Sequence, residues 1–181
     1  MEKIARSLIG IVSIVLSGLV LQKFALLDPR VPMPWCTLGV LLALLLLWSY
    51  KSLPTIWLGL FLLKILADYL RPESTTALYS LLTAVLVATL GTLNSAFGYW
   101  LFKKLAGEEP KLEQETDIFK FILAVLPTSL IYALVVAAAS YFAPDFTPTG
   151  TLSLFAVAWA TCMLSILLIA PLTWSMVNSD F

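Results

Sequence analysis

Long apolar stretches, separated by short polar or proline-containing connections, dominate the chain. Each stretch approaches the roughly 20 residues that a helix needs to cross the hydrocarbon core of a membrane. The pattern predicts an all-α, polytopic transmembrane bundle with spans near residues 8–27, 35–50, 55–70, 77–102, 119–142 and 152–174. No small-residue cleavage pattern follows the first stretch, so we expect a retained helix and not a signal sequence. One integral membrane domain, residues 1–181, accounts for the chain, with a charged loop at 103–118.

The distribution of basic residues predicts the orientation. A cytoplasmic N-terminus places seven lysines and arginines on the cytoplasmic side and three on the other; the seven are Lys3, Arg6, Lys51, Lys103, Lys104, Lys111 and Lys120, and the three are Lys23, Arg30 and Arg71. The positive-inside rule therefore predicts that both termini and the charged loop are cytoplasmic. We expect a multi-pass protein of a cell membrane.

Composition narrows the function. Apolar residues make up 60% of the chain and charged residues 12%, and the mean hydropathy is +0.95, which excludes a water-soluble domain. Eleven basic residues balance eleven acidic ones, so no field attracts nucleic acid. Histidine is absent, and Cys36 and Cys162 lie in separate apolar runs, so we predict no metal site, no cofactor and no enzymatic activity.

Lys64 and Asp68 stand one turn apart in the third predicted span, so their side chains can meet and neutralise each other. An ionisable pair at membrane depth is a functional candidate. The structural alternative is that Lys64 extends its stem along the helix toward the outer surface.

The fourth span carries small residues at spacings of four, three, four and three: Ala84, Ala88, Gly91, Ser95 and Gly98. Small residues allow transmembrane helices to approach closely, so this stripe predicts a packing seam. Asn94 lies beside the stripe, and a buried amide needs either a neighbouring helix or a bound ligand as its partner.

Further polar side chains on the last three spans are candidates for a shared pocket. They are Tyr99 on the fourth span, Thr128 and Tyr132 near the kink expected at Pro127, and Trp159 and Cys162 on the sixth span. Hydroxyl groups in transmembrane helices usually bond to their own backbone, so each is weak evidence when taken alone.

Four segments resemble the first type of the MASE family of bacterial membrane-associated sensor domains. Trp35 to Trp48 and Leu53 to Gly59 are similar to the family's tryptophan-containing apolar helix, its turn and the start of the next helix. Thr92 to Leu105 resembles a helix that ends on basic residues, and Trp159 to Leu172 resembles a helix that closes in Ala-Pro-Leu. Their order and spacing agree over nearly the whole chain.

The chain departs from the family pattern at three positions. Asn94 replaces a common Glu, Cys162 a common Asp, and Lys64 a frequent Asn, so an acidic sensing site at the first two positions would be missing here. The family domain usually continues into further spans and a histidine kinase or cyclic-di-GMP enzyme. The sequence is thus either part of a longer protein or a stand-alone member that acts through a partner.

We therefore expect a membrane sensory module for signal transduction that passes on the binding of a ligand or partner by helix repacking. The alternatives are a transport or solute-binding membrane subunit and a structural subunit of a membrane complex. The expected partners are the lipid bilayer and a signalling or transport protein.

Overall fold

The computed structural model describes residues 2–24, 35–70, 77–107, 115–141 and 148–178. These residues are helical almost throughout, and the α-helices are α1 (Glu2–Phe24), α2 (Trp35–Trp48), α3 (Leu53–Leu70), α4 (Ala77–Ala106), α5 (Glu115–Tyr141) and α6 (Pro148–Asn178). The predicted all-α class is confirmed. The predicted span ends at 25–27 and 142 lie outside the described residues, as does the centre of the charged loop at 108–114.

Four helical stretches among the described residues are long and apolar enough to cross a membrane: Thr37–Leu70, Ser80–Ala106, Glu115–Val135 and Gly150–Ser175. The first comprises α2, a 3₁₀ turn (Ser49–Ser52) and α3. A shorter apolar stretch, Ile4–Leu19, belongs to α1. Length and composition therefore make this a helical membrane protein.

The helix ends follow local chemistry. α2 ends where Ser49 adopts a left-handed φ of 54°, and Pro54 is tolerated in the first turn of α3 because that turn's N–H groups lack helical partners. At the end of α4, Gly107 has a φ of 106°, and its N–H donates to the carbonyl of Lys103 at 2.9 Å, as is typical of a glycine C-cap.

Both helices next to the charged connection extend further than predicted. α4 continues through Lys103 and Lys104, and α5 already begins at Glu115, with Asp117 also in its first turn. Basic residues near a helix C-terminus and acidic residues near an N-terminus interact favourably with the helix dipole, so the charges that marked a loop in the sequence also stabilise the helix ends.

α2 lies at the centre of the bundle. Its side chains are buried on all sides from Leu41 to Leu46, as expected for a helix that is uniformly apolar. It packs mainly against α6 and also against α1 and α4, but it makes few contacts with α3. Trp48 packs against the core and approaches Gly10 of α1. The side chains of Trp35 and Cys36 lie outside the described residues.

The remaining contacts set the helix directions. α1 and α3 run parallel, because Gly10 meets Thr55 and Gly18, further along α1, meets Leu63. α3 and α4 are antiparallel, with contacts between Trp57 and Thr89 and between Asp68 and Ser80. α4 is also antiparallel to α5, and α5 packs against α6. Large apolar side chains such as Leu86, Leu93 and Leu168 remain on the outside of the bundle.

Candidate functional site

The first candidate, Lys64 and Asp68, forms the predicted pair. Lys64 Nζ donates to the two carboxylate oxygens at 2.5 and 2.6 Å, and the two side chains are 28% and 25% exposed. Ser80 at the start of α4 adds a hydrogen bond to Asp68 Oδ2 at 2.5 Å. The pair is therefore half-buried and ties α3 to α4, a link that the spacing of Lys64 and Asp68 did not reveal.

The small-residue stripe of α4 lies in the bundle interior. Ala84, Ala88 and Ser95 are fully buried. A Cβ added at Gly91 would lie 2.7 Å from Leu60 Cδ1, and one added at Gly98 would lie 2.8 Å from Thr128 Oγ1 and 3.3 Å from Leu42 Cδ1. The stripe thus brings α4 close to α3 at Gly91, and close to α5 and α2 at Gly98.

Asn94 has one partner and one open position. Its Nδ2 donates to the backbone carbonyl of Thr128 at 3.3 Å, the residue directly after Pro127. Asn94 is 8% exposed, and no described residue forms a hydrogen bond with its buried Oδ1. An unpaired buried amide oxygen is costly unless a donor reaches it.

The candidate residues Tyr132 of α5 and Trp159 of α6 lie one helical turn beyond Thr128 along α5. Tyr132 packs against both the main core and a smaller cluster around Ala133 and Ala158. Trp159 stacks on Phe155 in that smaller cluster, with ring centroids 6.4 Å apart. The indole Nε1 of Trp159 is buried and has no hydrogen-bond partner in the part of the chain that the structure describes.

Cys162 lies fully buried in the main core and is a free thiol, as the sequence predicted for a small apolar side chain. Nothing in its surroundings links it to a metal: among the described residues, no group of three or more His, Cys, Asp or Glu side chains could hold one.

Tyr99 lies apart from this group. Its hydroxyl donates to Ser49 Oγ at 3.2 Å, and its ring makes an edge contact with Tyr50 at 5.0 Å. Since Ser49 is the residue with left-handed φ, Tyr99 braces the turn between α2 and α3.

Most hydroxyl groups bond to their own helix, as predicted. Thr128 Oγ1 donates to the Ala124 carbonyl at 2.7 Å, and Ser129 Oγ donates to the Leu126 carbonyl at 3.0 Å. Thr161 follows the same pattern. Ser165 differs, because its Oγ accepts a hydrogen bond from the Gly39 N–H at 3.2 Å.

Sequence reasoning missed several close approaches of helices. A Cβ at Gly39 of α2 would overlap the Ser165 carbonyl oxygen of α6, and one at Gly59 of α3 would lie 2.7 Å from Ile14 Cδ1 of α1. The signal was present, since isolated glycines within apolar helices often mark helix contacts. A repeated stripe, however, is visible only in α4.

The structure therefore divides the predicted residues among three places. Lys64 and Asp68 join α3 to α4, and Tyr99 supports the turn after α2. Asn94, Thr128, Tyr132, Trp159 and Cys162 follow one another along the α4–α5–α6 interfaces. We call this last group the interior polar group; two of its atoms, Asn94 Oδ1 and Trp159 Nε1, are buried and find no hydrogen-bond partner among the described residues.

No known protein family, curated protein or solved structure matches this chain.

Proposed function

We propose that the protein is a non-enzymatic, membrane-embedded sensory module of a bacterial inner membrane. In this proposal, a ligand or partner engages the interior polar group and shifts the packing of α4 against α5 and α6. The observation that carries it is the buried, unpaired acceptor of Asn94. A ligand that supplies a hydrogen-bond donor to this oxygen gains an interaction that favours binding.

The interface around Asn94 suits such a response. Asn94 donates a hydrogen bond to the backbone carbonyl of Thr128, the residue directly after Pro127. Because Pro127 has no N–H, the backbone hydrogen bonding of α5 is incomplete in this region. One turn away, Gly98 lies directly against Thr128. A small shift of α5 would change both contacts together, and a ligand that binds one packing arrangement better than another shifts the population toward it.

We further propose that each α-helix crosses the membrane once, with both termini in the cytoplasm. The parallel run of α1 and α3 and the antiparallel packing of α3 with α4 and of α4 with α5 support six alternating crossings. α2 spans only about 21 Å at 1.5 Å per residue. Its central position, surrounded by protein, is compatible with that short length.

A ligand screen tests the proposal. The thermal unfolding transition of the purified protein, in detergent or nanodiscs, is measured across a panel of small metabolites, and the transition of an Asn94→Leu variant is measured beside it. We expect at least one compound to raise the transition temperature of the parent protein and to leave that of the variant unchanged.

A transport or solute-binding subunit is the second candidate, and the ion pair of Lys64 and Asp68 favours it. Charged groups within membrane segments frequently mark solute or ion pathways. Solute uptake into proteoliposomes that is lost in Asp68→Asn would support transport. A purely structural subunit would instead co-purify in fixed stoichiometry with a partner protein and respond to no ligand.

A further inference from the structure

A basic and aromatic surface occupies the end of α4 and takes no part in the proposed function. Trp100, Lys103, Lys104 and Gly107 line a shallow concavity of about 330 Å³ there. Lys104 Nζ lies 5.0 Å from the centre of the Trp100 ring, in the geometry of a cation–π contact. The surface stands where the apolar stretch Ser80–Ala106 ends, and in the proposed topology that end lies at the depth of lipid headgroups.

An exposed apolar stripe leads away from this concavity along α4. Leu86, Leu90, Leu93, Phe97 and Trp100 recur at spacings of four, three, four and three, and they are 59%, 39%, 61%, 36% and 46% exposed. Such a spacing places them on one face of the helix. From Lys104 to Leu90 the stripe runs about 21 Å along the helix axis, which is about the length of an acyl chain.

The aromatic side chains shape the upper part of the stripe. Phe97 and Trp100 stack with ring centroids 5.9 Å apart, so together they present a continuous apolar wall directly below the two lysines. Tryptophan is enriched at this depth because its ring is apolar and its N–H is polar.

The lysines must provide the charge for any anion held here. The helix dipole leaves partial negative charge at the end of α4, so the helix itself repels an anion. The N–H of Gly107 is already used by the Lys103 carbonyl. Lys103 and Lys104 both line the concavity, so their two ammonium groups supply the positive charge for a phosphate.

We propose that this surface is a binding site for an acidic phospholipid, with the phosphate between Lys103 and Lys104 and one acyl chain along the stripe from Trp100 to Leu90. Charge complementarity and the adjoining apolar stripe argue for a lipid and not for a free phosphate, which would leave the stripe unused. The proposal stands independently of any ligand at the interior polar group.

Native mass spectrometry of the full chain tests the site, by titration with phosphatidylglycerol or phosphatidylcholine of identical acyl chains. We expect phosphatidylglycerol to bind more tightly, and Lys103→Gln or Lys104→Gln to weaken it by roughly fivefold each. The double variant should bind the two lipids equally. Lys51→Gln is the matched control, because it removes one exposed lysine that does not line the concavity; less than a twofold change is expected there.

Any one of four results would overturn the proposal. The double variant could keep the full preference for phosphatidylglycerol, or Lys51→Gln could lose as much affinity as Lys104→Gln. Inorganic phosphate in large excess could displace the lipid, which would make this a site for free phosphate. Efficient cross-linking of two chains through Leu93→Cys in lipid nanodiscs would show that a second copy covers the stripe. Far-UV circular dichroism of each variant verifies that the helices are intact.

Discussion

The side chain of Asn94 on α4 donates to the backbone carbonyl of Thr128 on α5 at 3.3 Å, while its own oxygen stays buried and unpaired. The bond is dispensable for the carbonyl, because α5 continues through Thr128 and the carbonyl also lies within the helical ladder. The hydrogen bond from Asn94 therefore contributes little to the stability of α5, which favours a role of the amide in ligand binding.

Replacement of Asn94 by Leu should separate stability from response. Leu has the same number and branching of side-chain heavy atoms as Asn and leaves no buried acceptor unpaired, so the free energy of unfolding should stay within about 1 kcal/mol of the parent value. Asn94→Asp is the contrasting variant, because it places an acidic group at the same site and should destabilise the fold. Reversible unfolding in mixed micelles measures both; a loss of several kcal/mol in Asn94→Leu would show that the amide is chiefly structural.

The contact between Gly98 and Thr128 gives a second prediction. Gly98→Ala adds a methyl group that meets Thr128 Oγ1 and Cγ2 at less than 3 Å, and we expect a loss of about 1–3 kcal/mol from overpacking. Thr128→Ala removes the opposing atoms and should recover most of that loss in the double variant. Additive effects of the two substitutions would contradict the assigned contact.

Gly39 tests the contact between α2 and α6. A methyl group at this position would overlap the Ser165 carbonyl oxygen, which belongs to the backbone and cannot easily move. Gly39→Ala should therefore destabilise the bundle by about 2 kcal/mol or more. Ala160→Val is the control, since Ala160 is exposed on α6 and the added atoms meet no buried neighbour; its transition temperature should be nearly unchanged.

The ion pair on α3 predicts different costs for single and double substitutions. Lys64→Met leaves Asp68 half-buried with Ser80 as its remaining partner among the described residues, and Asp68→Leu leaves Lys64 without its carboxylate. Each single change should cost about 1–3 kcal/mol, whereas the double change removes both charges and should cost less than either. If the double variant is the least stable of the three, the pair contributes more than mutual neutralisation.

Labelling of single cysteines tests the six crossings. The variants are made in a background without Cys36 and Cys162. Lys51→Cys and Lys111→Cys should then react with an impermeant thiol reagent only after the membrane has been permeabilised and the reagent reaches the cytoplasmic side. Pro144→Cys should react from the outside in intact cells. If Lys51→Cys is labelled from the outside, α2 and α3 do not cross as we propose.

The sequence was sufficient to predict the helices but not their neighbours. Runs of apolar residues ended by charge or proline located all of the described α-helices, because hydrophobic length is a strong constraint in a membrane. The contact of Lys64 with Asp68 followed from helical spacing alone. Ser80, in contrast, joins the pair from another helix, and no local pattern in the sequence encodes that approach.

The candidate pocket shows the same limit. The tendency of Thr128 to bond to its own backbone was predictable from residue type. Tyr99 was grouped with Asn94 because the two are close in sequence, yet its ring faces the α2–α3 turn and its hydroxyl reaches Ser49. The central position of α2 could not be read from its composition either, since a uniformly apolar helix is compatible with lipid on one side or protein on every side.

The most direct test of the sensory proposal is the thermal unfolding transition of the parent protein and of Asn94→Leu, measured side by side across the metabolite panel. The account predicts that at least one small molecule with a hydrogen-bond donor raises the transition temperature of the parent and leaves that of the variant unchanged. A panel in which no compound shifts the parent, or in which parent and variant shift equally, would contradict it.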